Sequence, residues 1–221
     1  MFGKIKTTIQ QNPQLAAAIF SFVFLLFGSF LYYLGLEFVI LFTPVVLAMV
    51  LATIVYFWEE DTKKKIFTIG SVAISGFVVE AVGVNTGIFF GDYSYGNLLG
   101  WKVFGTPIFI GLLWFLVSYS AYTIVKELNN ARWMRISLGV VLIVSFDLIL
   151  EQFAILYKFW NWPGNEVPLS NFVTWAVLGL VYLIFYELTL KKKDSRFQLY
   201  SSLVLPILSI WLWIMILIKS I

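Results

Sequence analysis

Seven long apolar runs constrain the fold of this chain more than any other feature. They cover residues 14–34, 36–58, 66–84, 106–126, 133–157, 170–190 and 197–219. Each is close to the ~20 residues that a helix needs to cross the hydrocarbon core of a bilayer. Because lipid offers no partners to backbone N–H and C=O groups, we expect all seven runs to be helices. The sequence therefore predicts an all-α membrane protein, a bundle of seven transmembrane helices forming a single integral membrane domain over residues 1–221.

The distribution of basic residues predicts an orientation. Three lysines lie on one side of the predicted bundle: Lys102, Lys158 and Lys219. The other twelve basic residues lie on the opposite side: Lys4, Lys6, Lys63, Lys64, Lys65, Lys126, Arg132, Arg135, Lys191, Lys192, Lys193 and Arg196. Because cytoplasmic loops carry the excess of Lys and Arg, we expect a cytoplasmic N-terminus and an external C-terminus. The expected location is a bacterial or archaeal cytoplasmic membrane.

Besides Glu37, at the very start of the second run, three carboxylates fall inside the apolar runs in the half of the bundle predicted to be external. Glu80 lies near the end of the third run, and Asp147 and Glu151 lie in the fifth. The last two are four residues apart, which places them on one helix face about 6 Å apart. Charged groups in a membrane span usually face the bundle interior and usually have a function. The alternative is a set of buried, hydrogen-bonded groups that only tie helices together.

The same three carboxylates suggest proton-transfer chemistry. Crowded carboxylates in a low dielectric favour the protonated form, so one cavity would contain both an acid and a base. The chain has no His and no Cys, which removes the commonest metal ligands, and we predict no metal site. We therefore take Glu80, Asp147 and Glu151 as candidate catalytic residues.

Polar and aromatic residues cluster in the two long links on the predicted external side, and at the start of the sixth run. They are Asn85, Thr86, Asp92, Tyr93, Tyr95, Trp101, Trp160, Trp162, Asn171 and Trp175. We predict that they bind substrate and that some aromatic faces stabilise a developing cation. The alternatives are an interfacial aromatic belt and, for Asn171, a helix cap.

Two other seven-helix or isoprenoid functions fit poorly. A retinal protein needs a lysine in the middle of the last helix, whereas the last run has lysine only at its outer end, Lys219. A prenyltransferase needs aspartate clusters to hold Mg²⁺ and diphosphate, and the chain offers only the single pair in DLILE at 147–151. A proton-coupled carrier would also use buried carboxylates, and it remains an alternative.

Two sequence blocks resemble the membrane carotenoid hydratases. The first, E-x-x-G-x-x-T-G-x-x-F-G-x-Y-x-Y, runs from Glu80 to Tyr95. The second, D-x-x-x-E-x-x-A, begins at Asp147 and is followed by W-x-W from Trp160 and by P-L-S-N-F-x-x-W from Pro168. The family includes bacterial enzymes acting on lycopene or γ-carotene and archaeal bisanhydrobacterioruberin hydratases. The likeness covers about residues 66–190.

The resemblance implies addition of water to the terminal C=C of an acyclic carotenoid end group, giving a tertiary alcohol. A carboxylic acid would protonate the alkene to a tertiary carbocation, and a second carboxylate would deprotonate the captured water. This cofactor-independent hydro-lyase would use Glu80, Asp147 and Glu151, with acid and base not yet distinguished. Expected partners are a lycopene-like carotenoid, water and membrane lipid, and no nucleic acid. The alternatives are end-group cyclisation, or a non-enzymatic carotenoid-binding or proton-coupled transport protein.

Overall fold

The computed structural model describes residues 12–128, 131–190 and 198–220. Over these residues, seven helices are long and apolar enough to cross a membrane. They are α1 (Pro13–Tyr33), α2 (Thr43–Phe57), α3 (Thr62–Thr86), α4 (Phe109–Lys126), α5 (Arg132–Tyr157), α6 (Leu169–Thr189) and α7 (Leu199–Ser220). The 3₁₀ turn Glu37–Phe42 leads directly into α2 and completes the second span. The predicted all-α, seven-helix membrane fold is confirmed.

Helix α4 lies at the centre of the bundle. It packs against α2, α3, α5, α6 and α7, and 78% of its span is buried. Helix α1 lies at the periphery, against α7 and the 3₁₀ turn, and only 22% of its span is buried. A helix surrounded by other helices can hold polar side chains away from lipid, so α4 and the helices around it are where a buried site can form.

The helix ends follow from local sequence. Asp61 caps α3, since its Oδ1 accepts a hydrogen bond from Lys64 N at 2.9 Å, as expected for an acidic N-cap. Helix α3 ends at Gly87, whose φ of 69° is the left-handed conformation that glycine adopts without strain. Lys158 ends α5 in the same conformation, with a φ of 59°. Both ends turn the chain sharply into the long links.

The two long links join to form one structure, which we call the loop cap (residues 87–108 and 158–168). Strand β1 (Ser94–Tyr95) pairs antiparallel with β4 (Trp160–Asn161), with Tyr95 opposite Trp160. Within the first link, β2 (Lys102–Val103) pairs with β3 (Thr106–Pro107). The loop cap therefore covers the end of the bundle at which α3 and α5 finish and α4 and α6 begin.

The charged end of the bundle lies opposite the loop cap. There, Lys64 pairs with Glu60 at 3.0 Å and Arg135 with Glu187 at 3.2 Å. Several basic residues used to predict the orientation lie outside the described residues: Lys4, Lys6, Lys191, Lys192, Lys193 and Arg196. The direction in which the bundle crosses the membrane thus stays a prediction.

Candidate active site

Glu80 lies in the last two turns of α3, with 3% of its surface exposed. Its Oε2 accepts hydrogen bonds from the hydroxyls of Tyr93 and, at 2.7 Å, Tyr95. Its Oε1 accepts one from Trp114 Nε1 at 2.9 Å. Three donors on one buried carboxyl group stabilise its ionised form, because they replace the water that burial removes.

Helix α3 can approach α4 closely enough for the Trp114 bond because of a glycine one turn before Glu80. A Cβ atom added to Gly76 would lie 2.9 Å from the Cβ of Trp114. Gly76 thus lets α3 pack closely against α4, and Glu80 points into the bundle.

The loop cap supplies aromatic donors through the alternation of its strands. Side chains two residues apart point to the same side of a strand, so Tyr93 and Tyr95 both face the bundle, as do Trp160 and Trp162. The rings of Tyr93 and Trp162 stack at 4.9 Å between centroids, and those of Tyr95 and Trp160 meet edge to face at 5.8 Å. We call these four residues the aromatic box.

The two tryptophans of the aromatic box bind Glu151. The indole N–H groups of Trp160 and Trp162 each donate to Glu151 Oε2 at 2.8 Å. Glu151 Oε1 accepts a third hydrogen bond, from Asn171 Nδ2 at 3.2 Å. Glu151 is 2% exposed and thus resembles Glu80: buried, with three donors. The box separates two carboxylates that come from different helices.

Asp147 differs from both glutamates. It is completely buried, and its Oδ2 accepts a hydrogen bond from the same Asn171 Nδ2, at 2.9 Å. No donor among the described residues reaches its Oδ1. A buried carboxylate oxygen without a partner is costly, so this environment favours the neutral acid for Asp147 more than for either glutamate.

The two tyrosines of the aromatic box remain protonated and so keep donating hydrogen bonds to Glu80. Burial, and then the nearby Glu80 carboxylate, raise the pKa of Tyr93 and of Tyr95 well above that of a free tyrosine. Both causes disfavour a phenolate, so the two hydroxyls stay protonated at neutral pH and above.

Trp175 stacks on Trp114 with 4.0 Å between ring centroids. Trp114 was not among the predicted site residues, although it lies in the middle of α4 and donates directly to Glu80. A tryptophan in the interior of an apolar run does give a signal, because a buried indole N–H generally needs an acceptor. The sequence alone does not say which acceptor.

Four of the residues predicted to bind substrate lie away from Glu80, Asp147 and Glu151. Asn85 donates to Ala81 O and Phe104 O, and Thr86 donates to Val82 O. Both side chains therefore satisfy backbone groups at the exposed end of α3. Asp92 is exposed, with its carboxylate against Gly87. Trp101 is 85% exposed, as an interfacial aromatic residue would be.

Two further polar residues have structural contacts. Glu37, in the same half of the bundle, is 72% exposed at its side chain and faces Lys219 at 4.0 Å. Thr174 Oγ1 donates to Phe89 O at 2.6 Å and ties α6 to the loop cap. In the described part of the chain, no group of three or more His, Cys, Asp or Glu residues is placed to hold a metal ion.

The chain matches one family of known proteins over most of its length. Residues 35–221 match the family described as carotenoid biosynthesis protein. A relative from Haloarcula japonica, bisanhydrobacterioruberin hydratase, is 26% identical over 141 residues, covering 58% of this chain and 47% of the relative. The matched region thus spans about half the length of that protein. No solved structure matches the chain. The family match covers most of the sequence, and it confirms the predicted resemblance: this chain belongs to the carotenoid biosynthesis protein family.

Proposed function

We propose that the protein is a hydratase that adds water to the terminal C=C of an acyclic, lycopene-like carotenoid. The observation that carries this proposal is the unequal hydrogen bonding of three buried carboxyl groups. Glu80 and Glu151 each accept three hydrogen bonds. Asp147 accepts only one, and no donor among the described residues reaches its Oδ1. Such a site holds one neutral acid beside two carboxylates.

Asp147 is the proton donor in this mechanism. The π electrons of the terminal alkene take the proton of its carboxyl group, forming a C–H bond and leaving a tertiary carbocation on the neighbouring carbon. Efficient general acid catalysis requires a group that is protonated at the working pH and lies within reach of the alkene. Asp147 fits because, among the residues that the structure describes, one amide N–H is the only hydrogen-bond donor to its carboxyl group.

Glu80 and Glu151 stabilise the cation and Glu151 receives the second proton. The negative charges of both glutamates, and the ring faces of the aromatic box, oppose the positive charge that develops on the substrate. A water molecule then adds its oxygen to the cation and loses one proton to Glu151. Return of a proton from Glu151 to Asp147 restores the starting state, so the net change is addition of one water.

The comparisons support this assignment at a coarser level. The family is named for carotenoid biosynthesis, and the relative is named as a hydratase of bisanhydrobacterioruberin. The buried carboxylates add the chemistry, since alkene hydration requires an acid of this kind. The location that fits is the cytoplasmic membrane of a bacterium or archaeon, with the loop cap facing outward.

The decisive experiment expresses the chain in a lycopene-producing host and analyses the pigments by mass. Wild type is expected to yield a product heavier by one water, and Asp147→Asn to yield none. Glu60→Gln, in the charged end opposite the loop cap, is the matched control and is expected to behave as wild type. Product of unchanged mass would indicate cyclisation of the end group instead. Unaltered pigment would point to a binding or transport protein.

A further inference from the structure

A narrow apolar cavity of about 40 Å³ lies next to Trp160 of the aromatic box. Phe146 and Leu150 of α5 line it, each one residue before Asp147 or Glu151 in the sequence. Trp160 also lines it, with the indole ring whose N–H donates to Glu151. The loop cap also contributes Leu99 and Phe159 to the lining, so the cavity lies between the bundle and the loop cap and adjoins the site through the Trp160 ring.

A second and much larger cavity, of about 370 Å³, lies between α1, the 3₁₀ turn, α2 and α7. This volume falls within the ~300–1,000 Å³ range of small-molecule sites in proteins. Its rim includes Phe27 and Phe38, which are 57% and 56% exposed. Since these rings lie on the outer surface of a membrane-spanning bundle, the cavity opens toward lipid.

The two cavities are neighbours. Four residues line both of them: Thr43, Leu47, Leu208 and Trp211. Trp211 stands between the two spaces, with its Nε1 donating to Ser29 Oγ at 3.0 Å and its ring 5.4 Å from that of Phe153. The two cavities therefore adjoin at Trp211, and a turn of this ring would join the lipid-facing space to the one beside Trp160, whose N–H donates to Glu151.

The larger cavity offers a ligand almost no polar partners. The hydroxyl of Ser29 donates to Leu25 O at 3.0 Å, and that of Thr43 donates to Ile40 O at 2.7 Å. The rest of the lining is apolar apart from the indole N–H of Trp211, which is already bonded to Ser29. A polar or charged ligand would lose its water without compensation here, so the cavity suits a hydrocarbon chain.

We propose that this cavity, between α1, α2 and α7, binds the polyene chain of the substrate and directs its end group past Trp211 to Asp147. The inference rests on the proposed function for the identity of the ligand, and on the shared lining of the two cavities for its position. The narrow cavity has room for only a few water-sized groups at ~10–15 Å³ each. Entry of a branched end group therefore requires the Trp211 ring to turn aside.

Two glycines allow a matched test. Gly28 lines the large cavity from α1, and a Cβ added to it would meet no atom within 4 Å. Gly70 in α3 is equally open but lines neither cavity. Gly28→Phe fills the cavity, whereas Gly70→Phe adds the same ring elsewhere. Val46→Trp, from α2, is a second way to fill the cavity if Gly28→Phe does not fold.

Each variant would be purified from a carotenoid-producing host and scored for bound pigment per protein. Hydration would be measured on a long acyclic carotenoid and on a short acyclic isoprenoid with the same end group. We expect Gly28→Phe to lose about tenfold in bound pigment and in conversion of the long substrate, equivalent to ~1.4 kcal/mol. Conversion of the short substrate is expected to survive, and Gly70→Phe to match wild type.

The outcomes separate this inference from the proposed function. Loss of bound pigment in Gly28→Phe, without hydration by any form including wild type, would refute the proposed function and support the cavity. Wild-type binding and conversion of the long carotenoid by both cavity-filling variants would refute the cavity as the polyene site. Recovery of phospholipid in place of pigment from the purified wild type would refute it as well, since an acyl chain would then be the occupant.

Discussion

Asp147 and Glu151 share a single hydrogen-bond donor, the side-chain amide of Asn171. The amide nitrogen lies 2.9 Å from Asp147 Oδ2 and 3.2 Å from Glu151 Oε1. The two carboxyl groups are one turn apart on α5, and the amide comes from the first turn of α6. Their relative position, and hence the distribution of protons between them, depends on how α6 packs against α5.

Asn171→Ala is expected to impair both stability and activity. Removing the amide leaves two buried carboxyl oxygens without a donor, which costs ~1–3 kcal/mol for an unsatisfied buried group. Unfolding of the purified protein in detergent and conversion of lycopene would measure the two effects. Asn161→Ala provides the control, since Asn161 is exposed on β4. Equal behaviour of the two variants would contradict the bridging role.

Asp147→Asn is expected to lower hydration by ~10²-fold or more, the usual contribution of a general acid. The asparagine has nearly the same shape and keeps an acceptor for Asn171, so folding and pigment binding should persist. Glu80→Gln should weaken activity less, because it removes a charge and not the transferred proton. The comparison requires initial rates in membranes with equal amounts of protein. A more severe loss in Glu80→Gln would reverse the roles assigned here.

The two tyrosines of the aromatic box predict a loss of stability in alkaline solution. The pKa of each is raised in the folded protein, first by burial and then by Glu80. Above pH ~10, where a tyrosine in an unfolded chain ionises, the unfolded state releases protons that the folded state retains. Stability should therefore fall as the pH rises beyond that value. Tyr95→Phe should reduce this pH dependence, as measured by unfolding at several pH values.

The pairing of β1 with β4 predicts a cross-link. Ser94 lies directly opposite Asn161 on the exposed side of the pair, and such partners have Cβ atoms ~4.5–5.5 Å apart. The chain has no cysteine, so Ser94→Cys with Asn161→Cys should form one disulfide under mild oxidation and keep activity. Asp92→Cys with Asn161→Cys is displaced by two residues and should oxidise more slowly. The reverse order would exclude the observed register.

A variant with one cysteine, Ser94→Cys, tests the predicted orientation. In intact cells, a membrane-impermeant maleimide should label Ser94→Cys but not Lys63→Cys, which lies exposed at the other end of the bundle. Labelling of both in opened vesicles would show that each thiol is reactive. The opposite pattern in intact cells would place the loop cap in the cytoplasm and overturn the orientation drawn from the basic residues.

The sequence predicted the helices because bilayer thickness leaves so few alternatives for an apolar run. It also predicted that Glu80, Asp147 and Glu151 face the bundle interior, because a charged side chain in an apolar run is costly in contact with lipid, and all three are buried. The pairing of β1 with β4 could not be predicted, since strands of two residues carry no periodic pattern and lie far apart in the chain. The cavity beside α1 and α7 likewise depends on packing, which apolar composition alone does not specify.

The sequence block that begins at Glu80 does not bring all of its polar residues to the site, and helix geometry explains why. Asn85 and Thr86 lie within the same sequence block as Glu80, yet a helix turns about 100° per residue, so their side chains need not point in the same direction as that of Glu80. In the structure they bond to backbone carbonyls at the end of α3. Tyr93 and Tyr95 follow the helix in extended chain, and there the two-residue spacing does bring both side chains to the carboxylate.

The aromatic box has one more consequence, which concerns solvation. Four side chains of the loop cap direct O–H and N–H groups at Glu80 and Glu151, in the manner of a first hydration layer. Unlike water, these dipoles are held by a paired backbone and do not reorient when a positive charge appears on a neighbouring molecule. In the proposed mechanism, these fixed dipoles take the place of water around the two glutamates inside the bundle.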